Sequence, residues 1–166
     1  MLSEVAALTG MHATYAPTID YRGGKYGIGM LTREKPISYR QVPLPCRSEP
    51  RALLIVELED YYYCCTHLSL HEEDRITSAA IIIDELSKLD KPAIIAGDFN
   101  ALPNRFPMMA LGRKFHIFEK SGTPYTFPAN EPKREIDYVA LYTGGGATAE
   151  VVEHRVLSAP VESDHA

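Results

Sequence analysis

Tryptophan is absent from this 166-residue chain, cysteine occurs only three times, and no apolar run approaches a membrane span, which needs about 20 predominantly apolar residues. The Met1 end also lacks the charged-then-apolar plan of a secretory signal. The expectation is a soluble chain, cytoplasmic by default, although a missing leader would leave no trace. Cys46, Cys64 and Cys65 include no second pair at zinc-ligand spacing. Adjacent Cys64 and Cys65 on a strand point to opposite faces, so they read as small core residues. Positive charge is in deficit: 17 Lys and Arg face 22 Asp and Glu, giving a formal net charge of -5. Tight nonspecific duplex binding depends on cations that neutralise phosphates, so this balance argues against a passive nucleic-acid module. A phosphate ester held through a divalent cation remains compatible with it. Repeats, long linkers and low-complexity tracts are lacking too, and a single domain over residues 1–166 is expected.

A hydrophobic content of 45% is ordinary for a globular chain able to bury a core without staples. Leu2, Val5 and Leu8 mark one face of a short helix that Gly10 stops. Tyr21 to Lys25 reads as a turn or loop, followed by a strand from Tyr26 to Thr32 whose glycines permit close backbone approach. Four prolines make Pro36 to Pro50 irregular or edge-like. Arg51 to Leu58 and Tyr61 to Thr66 form a hairpin around Glu59-Asp60. Ser69-Leu-His-Glu72 has the form of a capping box opening a helix with Ile76, Ala79, Ala80, Ile83 and Leu86 as its apolar stripe. Ala93 to Ala96, bounded by Pro92 and Gly97, is a buried central strand. The stretch from Tyr61 to Ala96 is thus a strand–helix–strand crossover. Beyond it come a short helix within Pro103 to Gly112, small strands at Phe115 to Glu119 and Ile136 to Tyr142, and a hairpin through Gly144-Gly-Gly146 to a strand within Thr148 to Leu157.

The crossover ends on Gly97-Asp98-Phe99-Asn100. Residues two apart on an extended segment face the same way, so Asp98 and Asn100 can converge on one point at the carboxyl end of the strand. An Asx turn closing the strand explains the same residues. His67 at its strand end either caps a backbone carbonyl or points into a site. Asp137, flanked by strand residues, needs a partner when buried: a histidine N–H or the nearby Arg134. Asp164-His165 is either a polar tail or a metal- and phosphate-contacting pair. Arg22, Lys25, Arg33, Arg105 and Arg113 are either a local basic patch or a solvated face.

In chain order, Thr66-His67-Leu68, Gly97-Asp98-Phe99-Asn100, Ile136-Asp137-Tyr138 and Ser163-Asp164-His165, with the glycine-rich Gly23 to Arg33 before them, resemble the signatures of the endonuclease/exonuclease/phosphatase superfamily. The resemblance implies an α/β (α+β) fold, a four-layer sandwich of two mixed β-sheets flanked by helices. It also implies a Mg²⁺-dependent phosphoesterase, with Mn²⁺ as a substitute ion. On the resemblance, Asp98 activates or orients the attacking water and Asn100 contacts the phosphate. His165 contacts the scissile phosphate, Asp137 orients that histidine, Asp164 contributes to the metal site, and His67 is a second phosphate-contacting histidine.

The chain departs from the family pattern at both ends. It lacks the initial strand–helix–strand with its glutamate metal ligand, and the strand that follows Ser-Asp-His. Such a unit needs roughly 30 residues. The expectation is therefore a fold truncated at both ends, a fragment with weak Mg²⁺ binding and impaired activity, and self-association through an exposed sheet edge. The alternative is a catalytically silent interaction module on the same scaffold. The substrate is expected to be a phosphate ester, whether small molecule, lipid headgroup or nucleic acid.

Overall fold

The computed structural model describes residues 1–158 and 160–166. In chain order its elements are α1 (Leu2–Thr9), β1 (His12–Tyr21), β2 (Gly24–Thr32), β3 (Ser38–Leu44), β4 (Arg51–Glu57), β5 (Tyr62–His67), α2 (Glu72–Ser87), β6 (Ala93–Asp98), α3 (Phe106–Leu111), β7 (Phe115–Ile117) and β8 (Asp137–Tyr142). β1 and β2 form a two-stranded sheet, and the other six pair in the order β3-β4-β5-β6-β8-β7. Only β5 and β6 run parallel, as the crossover through α2 requires. The larger sheet is therefore mixed and the smaller one antiparallel.

Four layers result. α2 and α3 cover one face of the six-stranded sheet, where Leu53, Ile55, Cys64 and Ile95 meet Ala79, Ile82, Leu86, Met108 and Leu111. On the other face Leu54 and Val56 of β4 are sealed by Ala16 and Met30 of the β1–β2 sheet. α1 lies against that small sheet and buries Ala6. A Cβ placed at Gly29 would come within 2.6 Å of Leu2 Cδ2, so this strand glycine admits the helix. Tyr63, Cys65, Ile94, Ala96 and Val139, on the same face as Leu54 through strand register, are only half-buried. An open hollow of about 410 Å³ lies over Ala96 and Val139, with Val156 and Leu157 on its far side.

Local structure departs from the sequence expectations in four places and bears out the edge-like reading of Pro36 to Pro50. β1 was not anticipated, and it pairs with β2 around Arg22-Gly23. The proline-rich stretch holds β3, which is an edge strand as its prolines require; Pro43 sits where no second neighbour needs its N–H. No capping box forms: α2 starts at Glu72 with His71 as its unassisted N-cap. Ser69 instead donates to Asp74 Oδ2 at 2.9 Å and accepts from His71 N at 3.1 Å, fully buried beneath the helix start. The buried stripe of α2 is Asp74, Arg75, Ser78, Ala79, Ile82 and Leu86, with Ala79, Ile82 and Leu86 in one cluster with Met108 and Leu111 of α3, while Ile76 is 37% exposed. No strand forms between residues 148 and 157, where a single bridge from Ser121 to Arg155 ties the segment down.

The three thiols are free. Burial pushes the Cys64 thiol up to about 12 and Cys65 to about 11, which fits inert packing residues.

Candidate active site

β5, β6 and β8 carry His67, Asp98 and Asp137 to neighbouring positions: His67 pairs with Asp98 across the parallel register, and Asp98 with Asp137 across the antiparallel one. A Cβ at Gly97 would lie 1.9 Å from Thr66 O, so glycine there lets β6 close on β5 immediately before Asp98. Asp98 Oδ1 accepts from Asn100 N at 2.7 Å, and Asn100 adopts φ 49, the left-handed region that asparagine tolerates. The Asx turn and the site are thus one structure, because the turn leaves Asp98 Oδ2 facing the histidines. Phe99 is buried against Tyr138, edge to face at 5.7 Å, and Phe99 N donates to Ile136 O at 2.8 Å. Burying such a ring contributes about 1.5–3 kcal/mol, which anchors the loop between its two functional neighbours.

His165 arrives from the far end of the chain. Its segment is laced to the 126–129 loop by Ala129 N donating to Asp164 O at 2.8 Å and Ala166 N to Thr126 O at 2.7 Å. Thr126 Oγ1 in turn accepts from Ile136 N and Asp137 N at 3.2 and 3.3 Å. The His165 ring rests edge-on to Phe127 at 4.9 Å. Its Nδ1 lies 2.8 Å from Asp137 Oδ2, and its Nε2 lies 3.9 Å from Asp98 Oδ2. His67 Nε2 approaches the same Asp98 oxygen at 3.3 Å. On its other side His67 Nδ1 is 3.1 Å from Arg51 Nη1, which also meets Glu49 Oε1 at 3.0 Å.

These side chains line a cleft of about 580 Å³ together with Tyr26, Leu70, Arg134 and Asp164. Asp98, Asn100, His165, Asp137 and His67 are therefore brought to one place. Asn100 Nδ2 donates to Leu68 O at 2.9 Å, which fixes the amide and leaves its Oδ1 for other partners. Arg134 does not choose Asp137: its guanidinium stacks over Phe127 at 4.7 Å. Asp164 lines the cleft with an exposed side chain. Arg22, Lys25, Arg33, Arg105 and Arg113 do not line it. Lys25 pairs with Asp20, and Arg22 and Lys25 border a separate hollow.

Burial pushes the Asp98 carboxyl up to about 6, with the Asp137 charge adding to the rise and the Asn100 N–H, His165 and Arg51 opposing it. Burial, and then the Arg51 guanidinium, hold His67 below its ordinary value. A buried carboxylate with a value near neutrality suits proton acceptance.

Ligand atoms of Asp98, Asp137 and His165 all lie within 4.8 Å of one another, an arrangement with room for an ion. Asp137 Oδ2 is engaged by His165, and Asp98 by Asn100 N and His67. Among the described residues no glutamate lines the cleft. Asp164 supplies an outward hard oxygen donor, and a small hard cation commonly uses one or two carboxylates together with substrate phosphate.

Arg51, Phe127 and Arg134 complete the cleft, yet Arg51 and Phe127 carry no motif. Arg51's partner His67 lies 16 positions away, and no local pattern signals such a pairing.

Solved structures share this fold. An endonuclease/exonuclease/phosphatase from Bacteroides vulgatus superposes with TM-score 0.77 at 16% identity, over 98% of this chain and 76% of that one. D. rerio TDP2 complexed with a single strand DNA product gives TM-score 0.69 at 14% identity, over 98% and 78%. The Bacteroides thetaiotaomicron mannosyl-6-phosphatase Bt3783 gives 0.69 at 15% identity, over 85% and 66%. No curated protein matches the chain. With the fold, the cleft and a family model matching residues 2–165 in agreement, the chain belongs to the Endonuclease/Exonuclease/phosphatase family, whose members hydrolyse phosphate esters.

Proposed function

We propose that the cleft hydrolyses a phosphate ester by attack of water, with Asp98 as the residue that orients the water and takes its proton. The observation that carries this reading is the pair of histidines on one aspartate oxygen: His67 Nε2 at 3.3 Å and His165 Nε2 at 3.9 Å from Asp98 Oδ2. Asp137 accepts the Nδ1–H of His165, which leaves Nε2 facing the substrate. His67 Nε2–H, the second Nδ2 hydrogen of Asn100 and the Nε2–H of His165 in its protonated form then donate to the phosphoryl oxygens while the bond to the leaving group breaks. A divalent ion, Mg²⁺ or Mn²⁺, would be held by Asp164 and would neutralise charge on the phosphate. With a single outward carboxylate, this chain binds that ion weakly until substrate adds its own oxygens.

Hydrolysis of bis-nitrophenyl phosphate is the test, run with Mg²⁺, with Mn²⁺ and with chelator. Turnover should require the ion, rise with its concentration without early saturation, and fall about 10²- to 10⁴-fold in Asp98→Ala or His165→Ala. Activity indifferent to Asp98→Ala would defeat the assignment. A panel of nucleotide, sugar-phosphate and lipid-headgroup esters then identifies the substrate. The acidic balance favours a small ester or headgroup over duplex DNA.

The second reading is a silent interaction module, favoured by the lack of a glutamate along the cleft among the described residues. Self-association belongs to either reading. The outer edges of the β1–β2 sheet lack strand partners among the described residues, and the half-buried Ile94, Ala96 and Val139 lie on the adjoining face. A second copy of the chain offers complementary strands.

A further inference from the structure

Among the described residues lining the cleft, Arg51 is the arginine whose charge is turned away from open solvent, whereas Arg134 is exposed. Its side chain is 9% exposed, and its Nε is a buried N–H without a partner among the described residues. An unpartnered buried donor costs stability, so packing alone is a poor account of an arginine at the start of β4. Its Nη1 carries two hydrogens, and two acceptors face them: Glu49 Oε1 at 3.0 Å and His67 Nδ1 at 3.1 Å.

A guanidinium only donates. The His67 Nδ1 that meets it must therefore present a lone pair, and in a neutral imidazole the proton then sits on Nε2. That nitrogen faces Asp98 Oδ2 at 3.3 Å, an acceptor-only atom when ionised. Both sides of the ring demand the same tautomer. His165 is set the opposite way: Asp137 takes the Nδ1–H, which leaves the Nε2 lone pair towards Asp98 when the ring is neutral.

We propose that Arg51 is a positioning residue that fixes His67 as its Nε2–H tautomer, so that this ring meets Asp98 and an incoming phosphoryl oxygen as a hydrogen-bond donor. Glu49 holds the guanidinium in place from outside the cleft. The two histidines on Asp98 then divide the work, His67 supplying a fixed N–H donor and His165 an Nε2 that is a lone pair when neutral and a donor when protonated. The assignment of a phosphoryl oxygen rests on the phosphoesterase reading; the tautomer does not.

The test is the imidazole nitrogen pattern of the whole chain labelled with ¹⁵N, read by two-bond ¹H–¹⁵N correlation at neutral pH, with His67 assigned by its loss in His67→Gln. Wild type should show His67 with a bare Nδ1 and a protonated Nε2. Arg51→Met should shift both nitrogens toward the averaged values of mixed tautomers, and Arg51→Lys, whose ammonium is also donor-only, should restore the pattern. A wild-type His67 in the Nδ1–H or mixed form overturns the proposal, as does an unchanged pattern in Arg51→Met. If Arg51→Met fails to fold, Asp98→Ala decides: His67 should keep its Nε2–H form on Arg51 alone, and a mixed pattern there overturns the proposal. A locked tautomer in a chain without phosphoesterase turnover would sink the functional reading alone, and mixed tautomers in an active chain would sink this inference alone.

Discussion

Asp98 shows how one side chain answers to two demands. Its Oδ1 closes the Asx turn with Asn100 N, a structural role, and its Oδ2 lies between two imidazoles. Burial raises its carboxyl from the ordinary 3.8 to about 6. A raised carboxyl favours the folded state fully below the unfolded value, and that contribution is lost as pH rises through the folded one. Ionised Asp98 therefore strains the fold in metal-free protein at neutral pH. The stability difference between Asp98→Asn and wild type should move in the variant's favour by on the order of 2 kcal/mol between about pH 3 and about pH 8. Thermal melts of both proteins at the two pH values, with chelator present, check this; equal differences at both would show that burial does not perturb Asp98.

At the scale of elements, α2 joins the two strands that carry His67 and Asp98, whose parallel pairing sets those residues side by side. The apolar spacing in the sequence places the covered face on Ile76, Ala79, Ala80, Ile83 and Leu86, whereas contact with α3 and the sheet buries Ala79, Ile82 and Leu86 and leaves Ile76 and Ala80 exposed. Ile82→Ala should cost about 2–4 kcal/mol, since Ile82 is fully buried. Ile76→Ala should stay within about 0.5 kcal/mol, since Ile76 is 37% exposed. Urea unfolding of the two variants distinguishes the faces, and a reversed order of costs would mean that the helix is rotated. The absent capping box has a similar cause: Ser69 spends its hydroxyl on Asp74, whose other contacts are Arg47 N and the Arg47 side chain. A local motif gave way to a tertiary polar cluster.

At the scale of the whole molecule, two strands cover a face that six strands present. Leu54 and Val56 are sealed, while Tyr63, Ile94, Ala96 and Val139 remain half-buried beside the open edges of the small sheet. Strand edges next to apolar surface favour pairing with another chain. Sedimentation at increasing concentration should show mass rising above that of an 18.5 kDa monomer. A constant monomer at high concentration would end the association proposal. The same view applies to membranes only in a limited sense: no helix among the described residues is long and apolar enough to cross one.

The sequence by itself determined the crossover unit, its termination on Gly97-Asp98, and the order in which His67, Asp98, Asp137 and His165 occur. These follow from local periodicity, from breakers and from adjacent polar residues, all written within a few positions of one another. It left open whether Asp137 would take Arg134 or a histidine, which way His67 would face, and what Arg51 was for. Only the tertiary structure decided these, because each depends on a partner on another strand or at the far end of the chain. Arg134 found the Phe127 ring, Asp137 found His165 from 28 positions away, and Arg51 reached His67 across neighbouring strands. The strand expected between residues 148 and 157 failed for the same reason: β propensity becomes a strand only where a neighbour accepts its hydrogen bonds, and a lone bridge from Ser121 to Arg155 is what the fold supplies.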